Sequence, residues 1–158
     1  MRFVASIVIA LGFAYAIDDY RASQRSPIFE LSAAERRSLD HVIRDLEHAG
    51  VENVYVLHGM LEWTLMFESK GRIAARYVTL RDRRPEIALA VDAARASGKR
   101  VALVGRDSDI LQIRDLLRLF LEQRGFDPNR LITHDDRWYY FLDPPAPLLA
   151  EATFRMSQ

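Results

Sequence analysis

Residues 100–109 read RVALVGRDSD, from Arg100 through Val104 and Gly105 to Asp107, Ser108 and Asp109. A continuous apolar run with β-branched residues is how a strand covered on both faces reads. Gly105 then permits a turn, and the Asp107-Ser108-Asp109 oxygens suit the free N–H groups of a helix start. The stretch predicts a strand over 100–104 feeding a helix, the repeating unit of a parallel sheet. Ile110, Leu111, Ile113, Leu116, Leu117, Leu119, Phe120 and Leu121 give that helix a wide apolar face, and Gly125-Phe126-Asp127-Pro128 closes it.

The same alternation runs upstream. Ser32 and Glu35 form a capping box, and Leu39, Val42, Ile43, Leu46 and Ala49 recur at helical spacing up to Gly50. Asn53–Leu57 (NVYVL) reads as a strand, with His58-Gly59 as its carboxyl-end turn. Met60–Ser69 fits a helix ended by Gly71, and Arg72–Leu80 a second strand. Arg81–Pro85 forms a charged turn whose proline suits a first helical position, and Ile87, Ala90, Val91 and Ala94 carry that helix to Gly98. Downstream, Arg130–Thr133 and Trp138–Leu142 (WYYFL) read as strands of a hairpin, and Asp143–Pro147 ends regular structure.

These elements predict a three-layer α/β fold, a mostly parallel sheet of about five strands with flanking helices, preceded by one N-terminal hydrophobic helix. The expected organisation is an anchor or signal over 1–17, a linker over 18–31, the α/β domain over 32–147 and a tail over 148–158.

The 158 residues carry 22 basic and 22 acidic side chains and no cysteine. The charge balance disfavours nucleic-acid binding, which needs a basic excess to neutralise phosphates. The missing thiols exclude disulfides, thiolate metal sites and cysteine nucleophiles.

Phe3–Ile17 (FVASIVIALGFAYAI) is uncharged and lies between Arg2 and Asp18-Asp19. As a secretory signal it has a basic start and a small-x-small site at Ala14-Tyr15-Ala16, so cleavage leaves Ile17 first. As a membrane anchor it falls just short of the roughly 17–25 residues of a spanning helix, with Tyr15 and Tyr20 suited to the interface. A buried core helix is the third reading. The first two place the rest of the chain outside the cytoplasm, at the inner membrane facing the periplasm or released into it.

Candidate ligand-binding residues cluster after the first and third strands: His58, Gly59 and Glu62, and Gly105, Arg106 and Ser108. Open α/β sheets bind ligands at such carboxyl ends. His58 and Glu62 have the spacing of a base and its orienting acid, and helix-start N–H groups near Ser108 suit an anion. Structural roles compete throughout: Asp107 or Ser108 as a helix cap, His58 as a surface residue, His134-Asp135-Asp136 as a solvated turn. His41 and His48 on the first helix receive no role. No nucleophile elbow, metalloprotease helix or phosphate loop is present, so no catalytic residue, metal or cofactor is expected.

Val54-Tyr55-Val56, the run Trp63-Thr-Leu-Met-Phe67-Glu-Ser-Lys-Gly71-Arg-Ile-Ala74, Arg84-Pro85 and Tyr139-Tyr140-Phe141-Leu-Asp-Pro144 occur in an order that resembles one family. It is the C-terminal extramembrane domain of bacterial membrane glycosyltransferases similar to the dolichyl-phosphate-mannose protein mannosyltransferases and aminoarabinose transferases. His58-Gly59 departs from that pattern, where an aromatic pair is common. The resemblance implies an accessory or recognition role beside a many-helix body that binds a polyprenyl-phosphate sugar and holds the acidic catalytic residues. None of those catalytic residues maps onto this chain. A different expectation is an exported α/β domain binding a small ligand around His58, Gly59, Arg106 and Ser108.

Overall fold

The computed structural model describes residues 31–78, 85–107, 113–134 and 137–150. The chain divides into two units, Met1–Ala34 and Glu35–Gln158, and the second holds the sheet. The apolar segment 3–17, the linker up to residue 30, the turn at 81–84, Ser108 and Asp109, Asp135-Asp136 and residues 151–158 lie outside the described residues. Among the described residues no helix is long and apolar enough to cross a membrane.

Nine elements follow in chain order: α1 (Ala33–His48), β1 (Asn53–Val56), α2 (Gly59–Glu68), β2 (Ala74–Tyr77), α3 (Pro85–Ala96), β3 (Val101–Arg106), α4 (Ile113–Gln123), β4 (Leu131–His134) and β5 (Trp138–Leu142). A single 3-10 turn, Pro128–Arg130, leads into β4, with the Asp127 carboxylate accepting from Asn129 N–H.

The five strands form one sheet in the order β2-β1-β3-β5-β4. β1 pairs in parallel with β2 and with β3, whereas β5 runs antiparallel to both β3 and β4. The sheet is mixed rather than mostly parallel: β2, β1 and β3 pair in parallel, and the terminal hairpin read from the sequence adds β5 antiparallel to β3. The reason lies in the hairpin. Trp138, Tyr139, Tyr140 and Phe141 are all buried, so β5 belongs inside the sheet, while β4 exposes Ile132 and Thr133 and takes the edge.

Side-chain alternation sorts the helices into two layers. Tyr55, Val101, Leu103, Tyr139 and Phe141 share a core with Val91 of α3 and Leu117 and Leu121 of α4. Val54, Val56, Ala102, Val104, Trp138 and Tyr140 point the other way, where Tyr140 reaches Asp45 of α1. Right-handed crossovers put α2 on that second face and α3 and α4 on the first. On α1, Leu39, Val42, Ile43 and Leu46 are buried as the spacing required.

Two boundaries differ from the sequence reading. The strand beginning near Arg100 runs on through Gly105 to Arg106, because both residues are paired with β5. Packing also continues past Pro147: residues 146–150 are helical, and Leu148 and Leu149 join the core of the α3–α4 face. After α2, Lys70 takes the left-handed conformation ahead of Gly71, and Gly71 N–H closes the helix on Met66 O at 2.8 Å.

Candidate functional site

The central neighbours β1 and β3 send the chain in opposite directions. α2 returns β1 to β2 at one side, and α4 carries β3 past β5 to β4 at the other. A crevice at the carboxyl ends is the expected ligand position at such a switch point. The residues at that end of the sheet are Leu57, His58 and Gly59 after β1, and Arg106 and Asp107 at the end of β3. Leu57 N–H still pairs with Val104 O at 3.2 Å, which holds the two strand ends side by side.

His58 is exposed and serves as the cap of α2: its Nδ1 accepts from Met60 N–H at 3.2 Å, which places the ring proton on Nε2. Glu62 is buried in the first turn of the same helix, where the carboxylate complements the helix dipole. Gly59 lies against the Tyr77 ring, 3.6 Å from where a Cβ would stand. Burial raises the Tyr77 phenol above its ordinary 10.0.

On the α1 face, Arg106 is fixed by two partners, one of which it shares with Arg137. Its Nη2 pairs with Glu35 Oε1, its guanidinium carbon sits 5.7 Å from the Trp138 ring centroid, and Arg137 Nη1 reaches the same Glu35 oxygen at 3.3 Å. Glu35 also joins α1 to Arg106 at the end of β3 and to Arg137 just before β5, two cations on one carboxylate.

On the α3–α4 face, Asp107 is buried at 5% exposure. One carboxylate oxygen accepts from Arg114 N–H at 3.1 Å, and the other lies 3.7 Å from Arg114 Nε. Asp107 N–H bonds Arg137 O at 2.8 Å. Gly105 is a packing glycine inside β3 rather than a loop glycine. The Tyr139 ring crosses directly over it, and an added Cβ would lie 2.3 Å from ring carbons. The Tyr139 hydroxyl and the Trp138 Nε1 are buried and make no hydrogen bond among the described residues. Burial first, and the charge of Asp107 second, push the Tyr139 phenol far up.

The fold thus gathers His58, Gly59, Glu62, Gly105 and Arg106 at one end of the sheet, and Ser108 lies outside the described residues. It also assembles two groups that local sequence does not join. Asp45 Oδ2 meets His134 Nε2 at 3.0 Å and accepts from the Tyr140 hydroxyl at 3.1 Å, and the His134 ring stacks between Tyr140 and His41 at 6.0 and 6.3 Å. Arg44 Nη2 lies 3.2 Å from His41 Nδ1. On the other face the Tyr55 hydroxyl donates to Asp92 at 2.9 Å, and Arg76 pairs with the second oxygen of Asp92 while lying over the Tyr55 ring. The sequence assigns His41 no role, and no local motif joins it to Asp45, His134 or Tyr140. Among the described residues no cluster of three or more His, Asp or Glu could hold a metal ion.

Tyr55 and Tyr140 are both pushed up to about 12 from 10.0, by burial first and then by their aspartate partners. A phenol whose folded value exceeds its unfolded one contributes stability that is complete below pH 10.0 and lost as pH rises through about 12. Tyrosinate absorbance is therefore expected to appear together with loss of the circular-dichroism signal in that window. Ionisation of Tyr55 and Tyr140 at the ordinary value in a still-folded chain would contradict this.

No family model, curated protein or solved structure matches the chain.

Proposed function

We propose that the α/β unit is a non-catalytic extracytoplasmic domain that works beside a polyprenyl-phosphate-sugar-dependent membrane glycosyltransferase, in an accessory or recognition role. The observation that carries the reading is the use of the polar groups at the switch point. His58 and Asp107 cap helices, and Glu35 binds Arg106 and Arg137. Each is committed to holding the strand ends and loops, as a recognition surface requires, rather than aligned as nucleophile, base and orienter. The resemblance adds its support through residues in structural positions: Tyr55 and Tyr140 tether helices to the sheet, and Gly71 closes α2.

The test is the full chain carrying a photoreactive phenylalanine analogue in place of His58, expressed in a Gram-negative-type host. Crosslinking to a many-helix membrane glycosyltransferase is the expected result. Turnover of a sugar donor by the purified chain alone, with no such crosslink, would overturn it.

The opposed crossovers of β1 and β3 favour one second reading, an exported domain binding a small ligand between His58 and Arg106. A thermal-shift screen of sugar phosphates decides it: stabilisation that disappears in Arg106→Ala supports this reading, and no stabilisation by any of them removes it.

A further inference from the structure

At the carboxyl end of the sheet three N–H donors share one row and one face. The register Val56–Val104, carried two residues on, sets His58 beside Arg106, and Arg106 pairs with Trp138 of β5. His58 keeps extended backbone (φ −143°, ψ 130°), so alternation puts it on the face of Val54 and Val56, as it puts Arg106 and Trp138. The three side chains therefore leave β1, β3 and β5 at one level, where α2 opens. Trp138 is 1% exposed, and its Nε1 and the Arg106 Nε are buried with no hydrogen-bond partner among the described residues. His58 spends Nδ1 on Met60 N–H, which leaves its Nε2 proton to donate. A buried donor without an acceptor costs stability, and an acceptor brought by a ligand recovers it.

The carboxylates beside the row are already engaged. Glu35 Oε1 holds Arg106 Nη2 and Arg137 Nη1, two guanidiniums on one acid, and leaves the Nε edge of Arg106 over. Glu62 is buried and partnered, and Asp107 points to the opposite face, toward Arg114.

We infer that the row His58–Arg106–Trp138 binds a phosphate group, free or as a sugar ester, through the indole N–H, the Nε–H of Arg106 and the Nε2–H of His58. Three donors side by side call for a group that accepts several hydrogen bonds at once, and a phosphate does so more strongly than a neutral hydroxyl. The start of α2 beside His58 adds a dipole that favours negative charge. Arg106 is the way in: its guanidinium lies 5.7 Å from the Trp138 ring centroid and its side chain keeps 31% exposure, so a shift of this one side chain uncovers the indole. The inference rests on the small-ligand reading and names its chemistry, and the experiment separates the two.

Trp63 and Trp138 are the chain's tryptophans, and Trp63, 41% exposed on α2, is an internal control. The full-length chain, isotope-labelled on nitrogen, is titrated with inorganic phosphate, glucose 1-phosphate and glucose while its two indole N–H resonances are followed. The Trp138 resonance is expected to move downfield to saturation with both phosphates and to stay with glucose; Trp63 should stay throughout. By calorimetry Trp138→Phe, which loses the indole N–H, and Arg106→Lys, which keeps the charge but loses the Nε edge, should each weaken phosphate binding about tenfold. Tighter binding of glucose 1-phosphate than of inorganic phosphate assigns the site to an ester, and the reverse order assigns it to the free ion. Glucose 1-phosphate binding that is lost in Arg106→Ala yet leaves the Trp138 resonance unmoved overturns the inference and keeps the small-ligand reading. An equal response to glucose also overturns it. No response to any of the three overturns it as well, and the wider screen of sugar phosphates then decides the small-ligand reading by itself.

Discussion

Gly105→Ala should be among the most damaging single-methyl changes in the protein, lowering stability by about 3 kcal/mol or more. The added carbon would stand 2.3 Å from two Tyr139 ring carbons and 2.4 Å from its hydroxyl oxygen, and β3 and β5 are hydrogen-bonded at that register, so neither strand has room to retreat. The control is Tyr139→Leu, which removes the obstructing ring: in that background the alanine should cost far less, giving a coupling energy on the order of 1–3 kcal/mol in a double-mutant cycle. Tyr139→Phe gives a different reading. Because the hydroxyl is buried and makes no hydrogen bond among the described residues, its removal should be neutral or stabilise by about 1 kcal/mol. Urea unfolding of the four variants measures all of this. An unchanged midpoint for Gly105→Ala would mean that Tyr139 does not cross β3 there.

Asp107→Ala should cost about 2–4 kcal/mol, since two roles are lost together. The carboxylate accepts from Arg114 N–H at the start of α4, and it faces the Arg114 guanidinium from a position that is 5% exposed. Asp107→Asn separates the roles: the amide oxygen still caps the helix, while the charge is gone, so this variant should fall between Ala and the unsubstituted chain. Hydrogen exchange localises the effect, with faster exchange in the first turn of α4 for Ala and near-ordinary protection for Asn. Equal losses for Asn and Ala would show that the ion pair alone carries Asp107's contribution.

The elements were legible where the pattern is local. The continuous run Val101–Val104 marked the central strand, and the 3.6-residue spacing of Leu39, Val42, Ile43 and Leu46 marked α1. The mixed sheet was less legible. A hairpin can add either of its strands to β3, and only the depth of Trp138–Phe141 decides it; an apolar run signals burial but not the direction of its neighbour. Gly105 misled for a related reason. A glycine after an apolar run reads as a turn, but here it makes space for an aromatic ring on the paired strand, and no spacing rule reveals a partner 34 positions away.

The site shows the same division. Sequence placed His58, Gly59, Glu62, Gly105 and Arg106 at the carboxyl ends of two strands, and the switch point between β1 and β3 lies there. What each side chain is bound to was not readable. Arg106 meets Glu35 across a sequence separation of 71, and Asp45 meets His134 across one of 89. Such pairs are set by which helix covers which strand, a property of topology rather than of any local motif. The exposed Trp63 and Phe67 were also ambiguous as sequence, since apolar residues all around a short helix suit full burial as well as an interface.

The accessory role proposed for the domain turns on its place beside a membrane. The decisive measurement is the intact mass and carbonate-extraction behaviour of the chain expressed from Met1 in a Gram-negative-type host. A full-length species that stays with the membrane, its α/β unit open to protease only from the periplasmic side, is the expected result. A soluble product beginning at Ile17, or a full-length chain recovered from the cytosol, would contradict an anchored accessory domain.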